Sequence, residues 1–117
     1  MFRFEDLKIW QEAISYANDV YQATKNLPKF EIYGLTSQLK RAAVSISANI
    51  AEGSASHSVP DYRNFLDISI KSVFETVSLL KIANGQKYIS EDEERKLYQK
   101  AELLARRISA FRKSLRP

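Results

Sequence analysis

Residues 31–53 read EIYGLTSQLKRAAVSISANIAEG and carry a clear signal for the fold. Its mainly apolar positions recur at spacings of three and four, which is the periodicity of one face of an α-helix. Small residues fill much of the remainder, so a second helix can approach closely. The run AVSIS at residues 43–47 alternates like a strand, but it lies inside the longer helical pattern and lacks flanking turns. We therefore predict a helix over about residues 34–54, with this stripe: Leu35, Leu39, Ala42, Ile46, Asn49 and Gly53, widened by Ala43 and Ile50.

Asn49 is the polar exception on that apolar side. A buried amide must find hydrogen-bond partners, or it costs about 1–3 kcal/mol. Asn49 is therefore either a buried device that specifies the packing or a member of a polar site.

Breaks at Pro28 and at residues 53–57 separate this helix from the helices before and after it. Pro28 disfavours helical geometry at the preceding residue and donates no backbone hydrogen bond, so we predict a first helix over about residues 4–26. Ser58 is placed to cap a third helix over about 59–84, with Pro60 in its first turn and Asp61 reaching back toward the cap. Ser90 and Glu93 form a capping box that begins a fourth helix over about 91–115.

Four amphipathic helices joined by short connectors predict an all-α protein, an antiparallel up-down-up-down four-helix bundle. With 117 residues the chain has room for one domain, so we assign residues 1–117 to a single bundle. The third helix carries more apolar surface than one seam of a bundle needs, because five positions extend its stripe: Phe65, Ile70, Phe74, Val77 and Leu79.

The composition removes most enzyme chemistry. There is no cysteine, and His57 is the single histidine, so thiol nucleophiles, thiolate zinc sites and His-pair metal sites are excluded. The sequence contains no glycine-rich phosphate loop and no nucleophile elbow. We expect no catalytic residues, no metal and no cofactor, and His57 should be exposed in its Ser-rich connector. Since no apolar run approaches the roughly 20 residues that cross a bilayer, and no signal peptide is evident, we expect a cytoplasmic protein without membrane contact.

Positive charge is concentrated at the end of the chain. The net charge is +4, and residues 86–117 carry nine bases against five acids. From Arg106 onward there are five bases and no acid, which could dock on phosphates by releasing counterions. Cations near the C-terminus of a helix also suit its dipole, and a basic tail is often only a solvated face. The residues alone leave these two interpretations evenly weighted.

The central stretch closely resembles a known family. The string E-x-YGL-x-x-QLKRAAVSI-x-x-NIAEG of residues 31–53 is similar to the hallmark segment of the four helix bundle protein family associated with intervening sequences in bacterial large-subunit ribosomal RNA genes. Two further segments resemble it: F-x-x-L-x-x-W-x-x-A at residues 4–13 and D-x-x-x-FL at residues 61–66. The chain departs from many relatives at Ser47, where proline is frequent, and at Lys40, where arginine is common.

The resemblance implies more than the periodicity does. Related bundles, including accessory proteins of diversity-generating retroelements, form homopentameric rings and are considered nucleic-acid binders, and the family has no established catalytic residues. Five copies of this chain would carry about +20 charges. The motif also draws attention to a polar cluster: Glu31, Tyr33, Gln38, Arg41, Asn49 and Glu52.

Two functional hypotheses follow. The first is a non-catalytic homo-oligomer, expected to be a pentamer, that binds the backbone of RNA or DNA, alone or beside a nucleic-acid-processing protein. Its candidate phosphate contacts are Lys40, Arg41, Lys100, Arg106, Arg107, Arg112 and Lys113. The second is a structural adaptor that holds a partner protein, with the basic surface serving solubility. An enzyme would need an acid–base cluster of Glu31, Arg41 and Glu52 around Gln38 and Asn49, but a structural salt bridge or hydrogen-bond network explains the same residues. As a candidate phosphate contact, Arg41 suits a buried or inter-subunit ion pair at least as well.

Overall fold

The computed structural model describes residues 1–116 and is built from four long helices. They are α1 (Lys8–Thr24), α2 (Leu35–Ser54), α3 (Val59–Gly85) and α4 (Glu91–Ser114). Two short 3₁₀ helices, Arg3–Asp6 and Lys29–Glu31, precede α1 and α2. No strand occurs within the described residues, so the predicted all-α class is confirmed.

The helices form an elongated bundle of 46 × 24 × 22 Å. Each helix packs against two others, in the cyclic order α1, α2, α3, α4 and back to α1. Between the diagonal helices no two Cα atoms lie within 8 Å of each other. Because the connectors are short, consecutive helices run antiparallel. The up-down-up-down four-helix bundle predicted from the sequence is confirmed, and the α1–α2 edge lies opposite the α3–α4 edge.

The core is built from the helical stripes. Tyr16, Leu39, Ile46 and Leu80 are among the largest side chains that the bundle buries completely. Val44 is exposed and Ile46 is buried. Residues two positions apart would lie on the same face of a strand, whereas in a helix they lie on different faces. The strand-like run at residues 43–47 is therefore helical, as predicted.

The first helix begins later than predicted, at Lys8 instead of residue 4, and ends at Thr24 instead of residue 26. Leu7 has an extended backbone (φ −74°, ψ 122°), which separates the Arg3–Asp6 turn from α1. The side chain of Glu5 accepts a hydrogen bond from the Phe2 amide at 2.9 Å and closes that turn locally. The other predicted boundaries agree with the structure to within one residue.

Both predicted serine caps are present. The Ser58 hydroxyl accepts from the Asp61 amide at 3.2 Å at the start of α3, with Pro60 in the first turn. The Ser90 hydroxyl accepts a hydrogen bond from the Glu93 amide at 3.1 Å. The Glu93 carboxylate accepts one from the Ser90 amide at 3.4 Å, which completes the capping box. The Asp61 side chain does not accept a hydrogen bond from the Ser58 amide, so α3 has a serine N-cap without a capping box. The prediction that Asp61 reaches back toward the cap is wrong.

The surplus apolar surface of α3 is distributed over three environments. Leu79 is buried in the core, while Phe65, Ile70 and Val77 are half-buried. Phe74 is 68% exposed and lies over the groove between α3 and α4. One of the five extra positions is thus absorbed completely by the single bundle, and Phe74 is left for another surface to cover.

Candidate nucleic-acid interface

The outward face of α4 carries two of the predicted phosphate contacts. Arg106 and Lys113 are both exposed, and within residues 1–116 neither forms an ion pair. They are seven residues apart, which places them two turns or about 10 Å apart on one side of the helix. Arg116, also exposed, follows the end of α4. We call Arg106 and Lys113 the outward cations.

Three other predicted contacts on α4 are occupied by acids of the neighbouring helices. Lys100 binds Asp19 and Arg107 binds Glu12, both on α1. Arg112 lies against Asp67 of α3, with its Nε 2.7 Å from Oδ1 and its Nη2 donating to Oδ2 at 3.1 Å. A phosphate would have to compete with a carboxylate at each of these three positions.

The two predicted contacts on α2 have different surroundings. The Lys40 ammonium lies 5.0 Å from the centre of the Tyr21 ring, a cation–π contact that leaves its charge available. Arg41 is exposed and has no ion-pair partner among the described residues. The intramolecular ion pair considered for Arg41 is therefore not formed.

Glu31 stabilises the start of α2. Its Oε1 accepts from the Leu35 amide at 3.1 Å, so Glu31 supplies the cap that Gly34 at the N-cap position lacks. Its Oε2 accepts from the Tyr88 hydroxyl at 3.0 Å and ties the α1–α2 connector to the α3–α4 connector. Partial desolvation, followed by the hydrogen bond and negative charge of Glu31, raises the pKa of Tyr88 above its ordinary value.

The rest of the polar cluster does not meet in one place. Asn49 donates to the backbone oxygen of Ser45 at 2.8 Å and to its hydroxyl at 2.9 Å, and that hydroxyl accepts from Ser72 of α3 at 2.9 Å. Asn49 therefore belongs to a small polar network between two helices. The remaining members, Tyr33, Gln38 and Glu52, are exposed.

Glu31 and Glu52 lie at opposite ends of α2, about 25 Å apart along its axis. A catalytic acid–base cluster that joins them with Arg41 is not assembled within the described chain. His57 is exposed in its connector, as predicted.

Replacing Glu31 with alanine should lower the free energy of unfolding by about 1–2 kcal/mol, because the first turn of α2 loses its cap and the Tyr88 hydroxyl loses its acceptor. The matched control is Glu52→Ala near the other end of α2, where the exposed side chain should contribute less than about 0.5 kcal/mol. Urea denaturation at one protein concentration measures both. Equal effects of the two substitutions would contradict the capping role.

Two groups of aromatic residues were not predicted from the sequence, because their contacts and exposure depend on tertiary structure. Phe4 lies edge-on to Trp10 with ring centres 4.9 Å apart, and Phe2 stacks on Phe4 at 5.8 Å. Phe30 and Tyr33, on the α1–α2 connector, are exposed. The signal for the second pair was present in the sequence as aromatic residues in a connector, but their exposure depends on how the connector is held.

Within residues 1–116 no cluster of three or more histidine, aspartate or glutamate side chains could hold a metal ion. No helix in the same range is long and apolar enough to cross a membrane.

Comparison with known proteins identifies the family. The model of the family described as 23S rRNA-intervening sequence protein matches residues 5–110. No curated protein is significantly similar in sequence. A crystal structure of a protein with unknown function from the S23 ribosomal protein family of Bacteroides thetaiotaomicron VPI-5482 has a TM-score of 0.80 and 21% identity, covering 91% of this chain and 99% of that one. That similarity supports the fold, and with the family match over most of its length, the chain belongs to the 23S rRNA-intervening sequence protein family.

Proposed function

We propose that the protein is a non-catalytic homo-oligomer, with five copies the expected number, that binds RNA or DNA through the phosphate backbone in the cytoplasm. The observation that carries the proposal is the pair of outward cations, which no acid among residues 1–116 neutralises. Arginine and lysine that bind phosphates release counterions and supply affinity without reading bases.

Oligomerisation would strengthen this binding. One chain carries a net charge of only +4, and five would carry about +20. Each copy would add an outward pair, so a polyanion could contact several pairs at once and gain affinity from multivalency. Lys40 and Arg41 likewise form no ion pair in the described part of the chain, and they would extend the contact if they face the same polyanion.

Substituting both outward cations, Arg106→Ala with Lys113→Ala, should weaken binding to RNA and DNA alike. Each lost phosphate contact should reduce the slope of log affinity against log salt by about 0.7–0.9. Fluorescence anisotropy with labelled single-stranded and duplex oligonucleotides over a series of salt concentrations measures both quantities.

The matched control is Lys96→Ala, which removes a positive charge from the same helix. The Lys96 Nζ lies 3.2 Å from Oδ2 of Asp92, in the acidic first turn of α4. The loss of Lys96 should therefore change the salt dependence of nucleic-acid affinity little. An affinity that does not depend on salt, or equal effects of the control and the double substitution, would contradict backbone binding.

The alternative is a structural adaptor that binds a partner protein and no nucleic acid. It is favoured by the ion pairs of Lys100, Arg107 and Arg112, which show that part of the basic surface serves the bundle itself. An oligomer that ignores oligonucleotides at low salt would support the adaptor over the nucleic-acid binder.

A further inference from the structure

An apolar groove runs between α3 and α4. It encloses about 340 Å³ and is lined by Val73, Phe74, Val77, Tyr98, Ala101, Glu102 and Ala105. A cavity of about 150 Å³ holds a benzene ring, so this groove has room for an aromatic side chain. Phe74 forms its exposed wall, and Glu102 is the one acidic or basic residue among those named.

A second apolar surface lies on the α1–α2 connector, at one end of the bundle. The connector of residues 29–33, here called the Phe30 loop, exposes 78% of Phe30, 56% of Ile32 and 95% of Tyr33. Such exposed apolar side chains, clustered in three of four consecutive positions, are typical of an interaction surface.

The Phe30 loop is held in shape before any partner binds. Lys29–Glu31 forms a 3₁₀ helix, and Glu31 anchors it to the Leu35 amide and to the Tyr88 hydroxyl. Little conformational entropy should therefore be lost when the loop docks.

The loop cannot occupy the groove of its own chain. Glu31 anchors the loop to Tyr88 of the α3–α4 connector, at one end of the bundle. The groove begins at Val77 of α3 and Tyr98 of α4, about 10 Å along these helices from that end. Only a second molecule can bring the two surfaces together.

We infer that the Phe30 loop of one copy docks in the α3–α4 groove of the next copy. This inference rests on the proposed homo-oligomer and specifies how its subunits join. The contact uses two different surfaces, so it is head-to-tail. An open chain of copies has one unused loop at one end and one unused groove at the other until the assembly closes.

Charge complementarity supports a second copy as the occupant. Lys29 is exposed beside the apolar residues of the loop and has no ion-pair partner within residues 1–116. Glu102 in the groove likewise has none within that range. Docking would bring this base toward this acid while the aromatic rings enter the groove, and opposite charges at matching places fix the register of an interface.

Mixing two defective variants tests the inference. The loop variant carries Phe30→Ala and Tyr33→Ala, and the groove variant carries Phe74→Glu, which places a second negative charge beside Glu102. Each variant alone should sediment as a monomer, with its self-association weakened by about 30-fold or more. An equimolar mixture should form heterodimers and nothing larger, because it contains one intact loop and one intact groove per pair.

The controls use exposed apolar residues away from both surfaces. Phe2→Ala and Ile68→Glu should leave the wild-type mass unchanged, and circular dichroism should show that every variant keeps its helical content. As a second measurement, Lys29→Glu and Glu102→Lys should each weaken association, and the double exchange should restore it.

Two results would overturn the inference. If the loop and groove variants keep the wild-type oligomeric mass, the docking mode is wrong. That result would leave the proposed homo-oligomer and its salt-dependent binding of nucleic acid uncontradicted. If the wild-type chain is monomeric at every concentration, the proposed homo-oligomer fails together with its docking mode.

Discussion

Replacing Ile46 with alanine should lower the free energy of unfolding by about 2–5 kcal/mol, one of the largest stability effects expected for a single truncation in α2. Ile46 is fully buried in the centre of the bundle, and its backbone oxygen accepts from the Ser69 hydroxyl of α3 at 2.8 Å. That hydrogen bond stiffens the α2–α3 contact, so the cavity should collapse only in part and retain most of its cost. Urea denaturation measures the change.

Val44 provides the control, because it lies two residues away in the same helix but is 44% exposed. Val44→Ala should change the free energy of unfolding by no more than about 0.5 kcal/mol. Both variants must be compared with the wild type at one protein concentration, since self-association adds to apparent stability. If the two substitutions lowered the free energy of unfolding equally, the different burial of Ile46 and Val44 in the single bundle would be contradicted, unless the proposed homo-oligomer covers Val44.

Gly53→Ala should be the second large effect, with a sign opposite to that expected for a helical glycine. Alanine normally stabilises a helix relative to glycine by about 0.5–1 kcal/mol. A Cβ at position 53 would lie 2.9 Å from the Phe65 Cβ and 2.9 Å from a ring carbon of Tyr62, both on α3. The Phe65 Cβ cannot move without its backbone, so α2 and α3 must separate, and we expect a net loss of about 1–3 kcal/mol.

Gly85→Ala is the matched control for that substitution. Gly85 is the last residue of α3, its φ is not positive, and an added Cβ would meet nothing within 4 Å. This change should raise the midpoint of thermal unfolding, with a gain of about 0.4–1 kcal/mol. If Gly53→Ala stabilised the protein to the same degree, the close approach of α2 and α3 would be refuted.

Most of the fold could be predicted because its signals are local. The spacing of Leu35, Leu39 and Ala42 identifies a helix face regardless of what packs against it. Ser90 with Glu93 marks the start of α4 through bonds that span three residues. The start of α1 was predicted too early because the extended backbone of Leu7 interrupts a pattern that periodicity alone extends to Phe4.

The candidate site was harder to predict because it depends on pairings between distant residues. The list of basic residues in α4 was visible in the sequence, but Lys100 meets Asp19 across 81 positions and Arg107 meets Glu12 across 95. Both acids lie on α1, and no pattern within α4 indicates which cations would face them. Whether the outward cations bind phosphate stays a prediction for the salt titration.

The four helices, their caps and the apolar faces that join them in a bundle follow from local sequence, because they depend on periods and bonds within a few residues. Three features depend on how the helices pack: which charges are neutralised, how the polar cluster is dispersed along α2, and the exposure of Phe30 and Phe74 on separate surfaces. The physical reason is that the rotation and axial offset of each packed helix set these distances, and both follow from how whole side chains fit together across the core.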